Sequence, residues 1–291
     1  MNGLVFKKVA NLFGIMGEDS KEYICVARGN LKGDGIFVGD KVEFNVIDGQ
    51  PTIEQIQKRK NQLVRPPLAN LDQLIIVIAE VPAPDYMIVD KLILFSLCYG
   101  IKPIIVVNKK DIDKTVGNYI KKAYENVVEH IFFTNAITGD GVEDVKRAMN
   151  GKLSAFAGQS AVGKSALVNK IMSKHLSRVG EISIKNQKGK NTTRHCEIFF
   201  EDDIMITDTA GFTSLDEKLL PIAYFELPYY YPDFVKYLEG CKYKSCVHIN
   251  ESEKECAIKQ SVRAGLIDKD RYLRYKEIYK ILNEKWVRTH G

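Results

Sequence analysis

At 291 residues and 45% hydrophobic content, the chain carries enough apolar mass for real cores and for more than one domain, which excludes a disordered or fibrous protein. Lys plus Arg number 42 against 37 Asp plus Glu, and the resulting +5 permits contact with nucleic acid without demanding it. The first eight residues hold no apolar segment with a cleavage site, and the greasiest stretch, 92–107, is broken by Gly100, Lys102 and Pro103; a cytoplasmic protein without membrane contact is expected, its six cysteines thiols or metal ligands rather than a disulfide frame.

Residues 1 to about 65 alternate apolar and polar positions over 4–13, 22–28 and 41–47, with turn signals at Gly29-Asn30, Gly33-Asp34-Gly35, Gly39-Asp40 and Asp48-Gly49. Short strands with no helix between most of them predict a small closed barrel. Lys58, Arg59, Lys60 and Arg65 give its exit a basic edge. From Pro67 the pattern changes to apolar strands alternating with helices: a strand at 74–79, a helix over 85–99, a strand at 104–107, then helices over 115–129 and 142–149. That alternation predicts a mostly parallel sheet covered on both faces.

The ends of these strands carry the chemistry. Asn108-Lys109-Lys110-Asp111 fits the guanine-reading N-K-x-D pattern, in which a carboxylate accepts from the N1–H and exocyclic amine that guanine offers and adenine does not. The loop beginning Asn135-Ala136 matches the segment whose backbone N–H meets the guanine O6. An apolar run at 153–157 then leads into Gly158-Gln159-Ser160-Ala161-Val162-Gly163-Lys164-Ser165 and a helix from Ala166, a G-x-x-x-x-G-K-S phosphate loop in its strand-to-helix setting. Its N–H groups and the helix N-terminus face a phosphate chain, Lys164 reaches the β- and γ-phosphates, and Ser165 ligates Mg²⁺. Thr192 or Thr193 completes the Mg²⁺ shell, Asp208 supports the metal through water, and Gly211 of D-x-x-G senses the γ-phosphate. Lys164, Asp208 and Gly211 are thus the expected catalytic positions.

Beyond residue 222 the chain is aromatic, with Tyr224-Phe225 and Tyr229-Tyr230-Tyr231 read as core or staple residues. Cys241, Cys246, His248 and Cys256 follow within sixteen positions, a set whose tetrahedral coordination makes one closed, structural zinc site. A helix over 268–288 brings Tyr272, Tyr275, Tyr279, Leu282 and Trp286 to one face and leaves lysines and arginines for solvent or RNA.

The guanine motifs precede the phosphate loop, the reverse of the usual order, so the nucleotide domain is circularly permuted. In this order and these residues, together with Arg59-Lys60-Asn61 and Val64-Arg65-Pro66-Pro67, the chain closely resembles the RsgA/YjeQ family of small-ribosomal-subunit-dependent GTPases along essentially its whole length. The resemblance implies an OB-fold RNA-binding domain at 1–65, a permuted GTPase domain at 66–221 and a zinc-binding α domain at 222–291. It implies hydrolysis of GTP to GDP and phosphate, stimulated by the small (30S) subunit through its 16S rRNA during late maturation, by a monomer. Phe212 stands where many GTPases carry a water-orienting glutamine, and Asn191 where the family usually has histidine, with His195 a substitute. Slow intrinsic hydrolysis is expected, and two alternatives stay open: a guanine-nucleotide-sensing RNA-binding module with little turnover, and an RNA-remodelling switch unconnected to subunit assembly. Permutation also joins D-x-x-G directly to the C-terminal region, so nucleotide state is expected to be felt there first.

Overall fold

A computed structural model describes every residue except 33, 34, 113, 173–195, 208–219 and 291. The N-terminal strands are β1 (Asn2–Val9), β2 (Leu12–Gly17), β3 (Glu22–Ala27), β4 (Lys41–Ile47) and β5 (Gln50–Ile56). They close into a barrel in the order β1-β2-β3-β5-β4, with β3 and β5 parallel and the other pairs antiparallel. That is the strand order of an OB-fold. The apolar run at 4–13, predicted as one strand, is a hairpin: Ala10 takes φ +51° and turns the chain between β1 and β2 without a glycine. Val5, Ile15, Val42, Phe44 and Ile53 fill the interior. A bulge between Val5 and Lys7 turns Phe6 out of the barrel wall and onto Phe200, edge to face at 6.1 Å.

Half of the basic edge expected at the barrel exit, Arg59 and Lys60, is paired internally, while Lys58 and Arg65 are exposed. Arg59 donates to both oxygens of fully buried Asp40 at 2.7 Å each, and its guanidinium stacks on Phe37 at 4.7 Å. Lys60 pairs with Asp72. These contacts seat the barrel beside a two-stranded hairpin, β6 (Gln62–Leu63) and β7 (Leu68–Ala69).

The central sheet comprises β8 (Gln73–Ala79), β9 (Lys102–Asn108), β10 (Ile131–Phe133), β11 (Leu153–Ala157), β12 (Ile198–Glu201) and β13 (Ile204–Thr207) in the order β10-β9-β8-β11-β13-β12. All neighbours are parallel except the β12/β13 hairpin. Successive residues of β8 serve opposite faces: Leu74, Ile76 and Ile78 join one apolar cluster, Ile75, Val77 and Ala79 the other. Helix α1 (Tyr86–Cys98) packs in the first; α3 (Val142–Met149) and α4 (Lys164–Ile171) pack in the second. Helix α2 (Thr115–Tyr124) is shorter than the predicted 115–129; beyond it Tyr124 O accepts from the N–H groups of Val127 and Val128, and both valines are buried.

The C-terminal region holds α5 (Pro232–Val235), α6 (Ala257–Arg263) and the long α7 (Lys269–His290), whose Tyr272, Tyr275, Ile278 and Leu282 extend the same apolar cluster as α1. Two α7 arginines do not face solvent as the sequence suggests. Arg271, 1% exposed, pairs with Asp90 of α1 and with Asp233 of α5, and lies over the rings of Tyr124 at 5.3 Å and Tyr231 at 4.6 Å. Arg274 binds the other oxygen of Asp90. No helix among the described residues is long and apolar enough to cross a membrane.

Candidate nucleotide and metal sites

Four loops meet at the C-terminal ends of β8, β9, β10 and β11, and one buried amide stitches three of them together. Asn108, 2% exposed, donates Nδ2 to Val162 O at 3.0 Å, while its Oδ1 accepts from Ala136 N at 3.0 Å and Thr134 Oγ1 at 3.1 Å. Every polar atom of that side chain is satisfied, so the guanine segment, the 134–136 loop and the phosphate loop hold one register. Lys109 reaches across with Nζ to Val81 O (2.6 Å) and Ala161 O (2.9 Å). Asn135 Nδ2 donates to Asp111 Oδ1 at 2.7 Å and its own oxygen accepts from Ile137 N and Thr138 N, which leaves an exposed Asp111 carboxylate fixed at the rim. Lys110 points elsewhere and pairs with Asp140.

The phosphate loop runs from β11 into α4. Gly163 has φ +93°, and a Cβ there would lie 2.3 Å from Asn108 Nδ2, so the loop approaches the guanine segment only because this position lacks a side chain. Gly158, at φ +129°, would place a Cβ 2.1 Å from Val77 O. Gln159 turns back to α1, accepting from Asp85 N at 2.8 Å and donating to Ala83 O. Asp85 in turn caps α1, accepting from Met87 N at 2.9 Å and Ile88 N. Lys164 curls into the loop and donates to Gly158 O (2.8 Å) and Gln159 O. Burial lowers its pKa, and its hydrogen-bond partners among the described residues are these two carbonyls; a desolvated cation beside the N-terminus of α4 fits an anionic phosphate chain. Ser160, Ser165 and Ala166 are exposed on the same rim, where the Ser165 hydroxyl is accessible to a phosphate-bound cation. Thr192, Thr193, Asp208 and Gly211, with Asn191, His195 and Phe212, lie outside the described residues.

The second site brings all four predicted soft ligands together. The ligand atoms of Cys241, Cys246, His248 and Cys256 lie within 4.8 Å of one another. His248 Nδ1 is 3.6, 3.2 and 3.4 Å from the three sulfurs in that order. Metal bonds of about 2.0–2.3 Å in a tetrahedron give edges of roughly 3.5 Å, so the cluster fits a zinc-sized ion without rearrangement. Burial holds the His248 imidazole neutral by lowering its pKa to about 4, and it raises the pKa values of the Cys246 and Cys256 thiols. Neutral imidazole with thiols that ionise only against a cation is a metal-binding donor set. Two α7 hydroxyls brace the turn, Tyr272 donating to His248 O at 2.7 Å and Tyr275 to Val247 O at 2.8 Å. Cys256→Ser is therefore expected to lose about one equivalent of bound metal and to shift the emission of the single tryptophan, Trp286 of α7, which packs on Tyr224 and Phe225. Metal analysis and fluorescence with and without a chelator check both.

Sequence reasoning missed Asp90, Asp233 and Arg271. The one available signal was a carboxylate inside the apolar run Met87-Ile88-Val89-Asp90.

A family model described as RsgA GTPase matches residues 56–218, and one described as 50S ribosome-binding GTPase matches 154–283. The small ribosomal subunit biogenesis GTPase RsgA of Ruminiclostridium cellulolyticum is 34% identical over 97% of this chain and 94% of its own. Its namesake in Caldanaerobacter subterraneus subsp. tengcongensis is 38% identical over 91% of this chain and 90% of its own. Among solved structures, YjeQ from Thermotoga maritima superposes with a TM-score of 0.81 at 29% identity, covering 97% of this chain and 98% of that one. YloQ, a circularly permuted GTPase, gives 0.82 at 26% identity, covering 98% and 95%.

Proposed function

The chain belongs to the RsgA GTPase family, and from that premise we infer that it hydrolyses GTP to GDP and phosphate in the cytoplasm, as a monomer acting late in maturation of the small (30S) ribosomal subunit. The observation that carries this reading is the Asn108 amide, which locks a guanine-reading segment, its O6 loop and a phosphate loop into one surface. Asn108, Lys109, Asp111, Asn135 and Ala136 take the base. The backbone from Gly158 to Ala166 takes the phosphates, Lys164 balances their charge, Ser165 with Thr192 or Thr193 holds Mg²⁺, Asp208 supports the metal through water, and Gly211 senses the γ-phosphate. An Mg²⁺ ion held by these residues would supply neutralisation of phosphate charge. The Cys₃His cluster takes zinc in a structural role, since all four positions are protein ligands.

Three units divide the work: 1–65 as an RNA-binding barrel, 66–221 as the permuted GTPase domain and 222–291 as the zinc module, the outer two gripping 16S rRNA. Phosphate release by the purified protein, alone and with isolated small subunits, tests the reading, with ATP as the control. A large GTP-specific stimulation is expected; bound GTP with no stimulation would instead support a nucleotide-sensing module. Base recognition has its own check. Asp111→Asn removes the acceptor that guanine's N1–H and amine require, so GTP affinity is expected to fall by about 10- to 100-fold while xanthosine triphosphate gains. Unchanged GTP affinity would remove Asp111 from the base site.

A further inference from the structure

Against the metal site and away from the nucleotide site, the described residues contain a cleft of about 300 Å³ between the 224–230 segment and the metal-binding turn. Its walls are aromatic and, unusually for a folded module, exposed: Phe225 is 48% accessible, Tyr229 65% and Tyr243 45%. Pro228, Leu238 and Val247 also line it, and Lys244 contributes the charge. Two of the rings are held from behind. Phe225 meets Trp286 edge to face at 5.5 Å and Tyr224 at 5.4 Å. Tyr243 donates its hydroxyl to Glu255 at 3.0 Å, and the Lys242 ammonium lies 5.1 Å from its ring centroid. Cys246 and His248 form the back, so the metal centre sets the cleft's shape. Lys242 is neutralised by Glu255, whereas Lys244 enters no ion pair among the described residues.

We propose that this cleft is a binding site for one unpaired RNA base, stacked on the exposed aromatic rings while Lys244 meets the adjoining phosphate. Fixed aromatic faces lose little entropy on stacking, and a base offers the flat apolar area they match. The cation at the rim favours a base over an apolar side chain, because every RNA base comes with a phosphate that carries full negative charge. The inference rests on the proposed action on an RNA-containing particle, and it names where on the zinc module the RNA is gripped.

Full-length, zinc-loaded protein titrated with a single-stranded oligoribonucleotide carrying 2-aminopurine tests it. Stacking is expected to quench the probe. Tyr229→Ala is expected to weaken binding by about 5- to 100-fold, the loss of one stacked base, and Tyr229→Phe to retain it. Lys244→Ala is expected to lower affinity and to reduce the salt slope by about 0.7. Equal affinities for wild type, Tyr229→Ala and Lys244→Ala overturn the proposal, as does binding without quenching. A photo-crosslink from position 229 on bound small subunits that lands on a ribosomal protein rather than RNA also overturns it. Failure of the wild type to bind small subunits counts against the proposed function instead, because the oligonucleotide arm judges the cleft alone.

Discussion

Replacing Lys164 with alanine is expected to lower GTP turnover by at least about 100-fold, the cost of removing a charge placed where the transition state gathers its own. The ammonium has been taken partly out of water and, among the described residues, meets the loop carbonyls of Gly158 and Gln159 with no carboxylate beside it, so burial disfavours the cation until an anion arrives. Alanine leaves the loop backbone, fixed by Asn108 and Gln159, in place. Nucleotide is therefore expected to bind, more weakly, while phosphate release nearly stops with and without small subunits. Single-turnover phosphate release beside equilibrium GTP binding separates the effects. A variant that still hydrolyses at a tenth of the wild-type rate would place the main charge stabilisation elsewhere.

The second large effect concerns stability rather than chemistry. Asp90→Asn is expected to cost about 3 kcal/mol, because two arginines in a dry interface would lose the carboxylate that binds both. Arg271 would keep Asp233, but Arg274 would keep no carboxylate among the described residues, holding the hydroxyls of Tyr119 and Tyr124 at 3.2 Å each and the Tyr86 ring at 5.6 Å. Urea unfolding measures the loss, and the double variant Asp90→Leu/Arg274→Met supplies the control: with charge and counter-charge removed together, part of the stability should return. A single variant as stable as wild type would show that the cluster carries no net energy. The unfolding midpoint is also expected to rise with GTP, because a ligand that binds only the folded chain stabilises it.

Much of the architecture was legible because it follows from periodicity. Alternation in the first fifty residues leads to a barrel, and uninterrupted apolar runs lead to strands buried on both faces. The misreading at 4–13 came from a turn made by Ala10 and Asn11, neither glycine nor proline. The spacing of Cys241, Cys246, His248 and Cys256 pointed to a cluster because those residues are close in the chain. Asp90 and Arg271 gave no such warning. They lie 181 positions apart, and an arginine on a charged helix reads as solvated until its partner is known. The aromatic run at 224–231 misled in part for the same reason: Tyr231 is core, yet Tyr229 two positions earlier stands in the open.

The sheet order and the α1/α7 junction together impose a schedule on synthesis. Strand β8 finds β9 soon after it is made, but its other edge waits for β11, and Gln73 waits 81 residues for the Ser154 hydroxyl its amide binds. Helix α1 waits longer, since the guanidinium groups that neutralise Asp90 arrive 181 and 184 positions later, on α7. A nascent chain can therefore pair its first strands, but a carboxylate with no counter-charge resists burial until α7 exists. A chain that stops before Arg271 lacks both guanidinium groups that neutralise Asp90, so α1, whose start Gln159 meets, gains its full packing only once α7 is present.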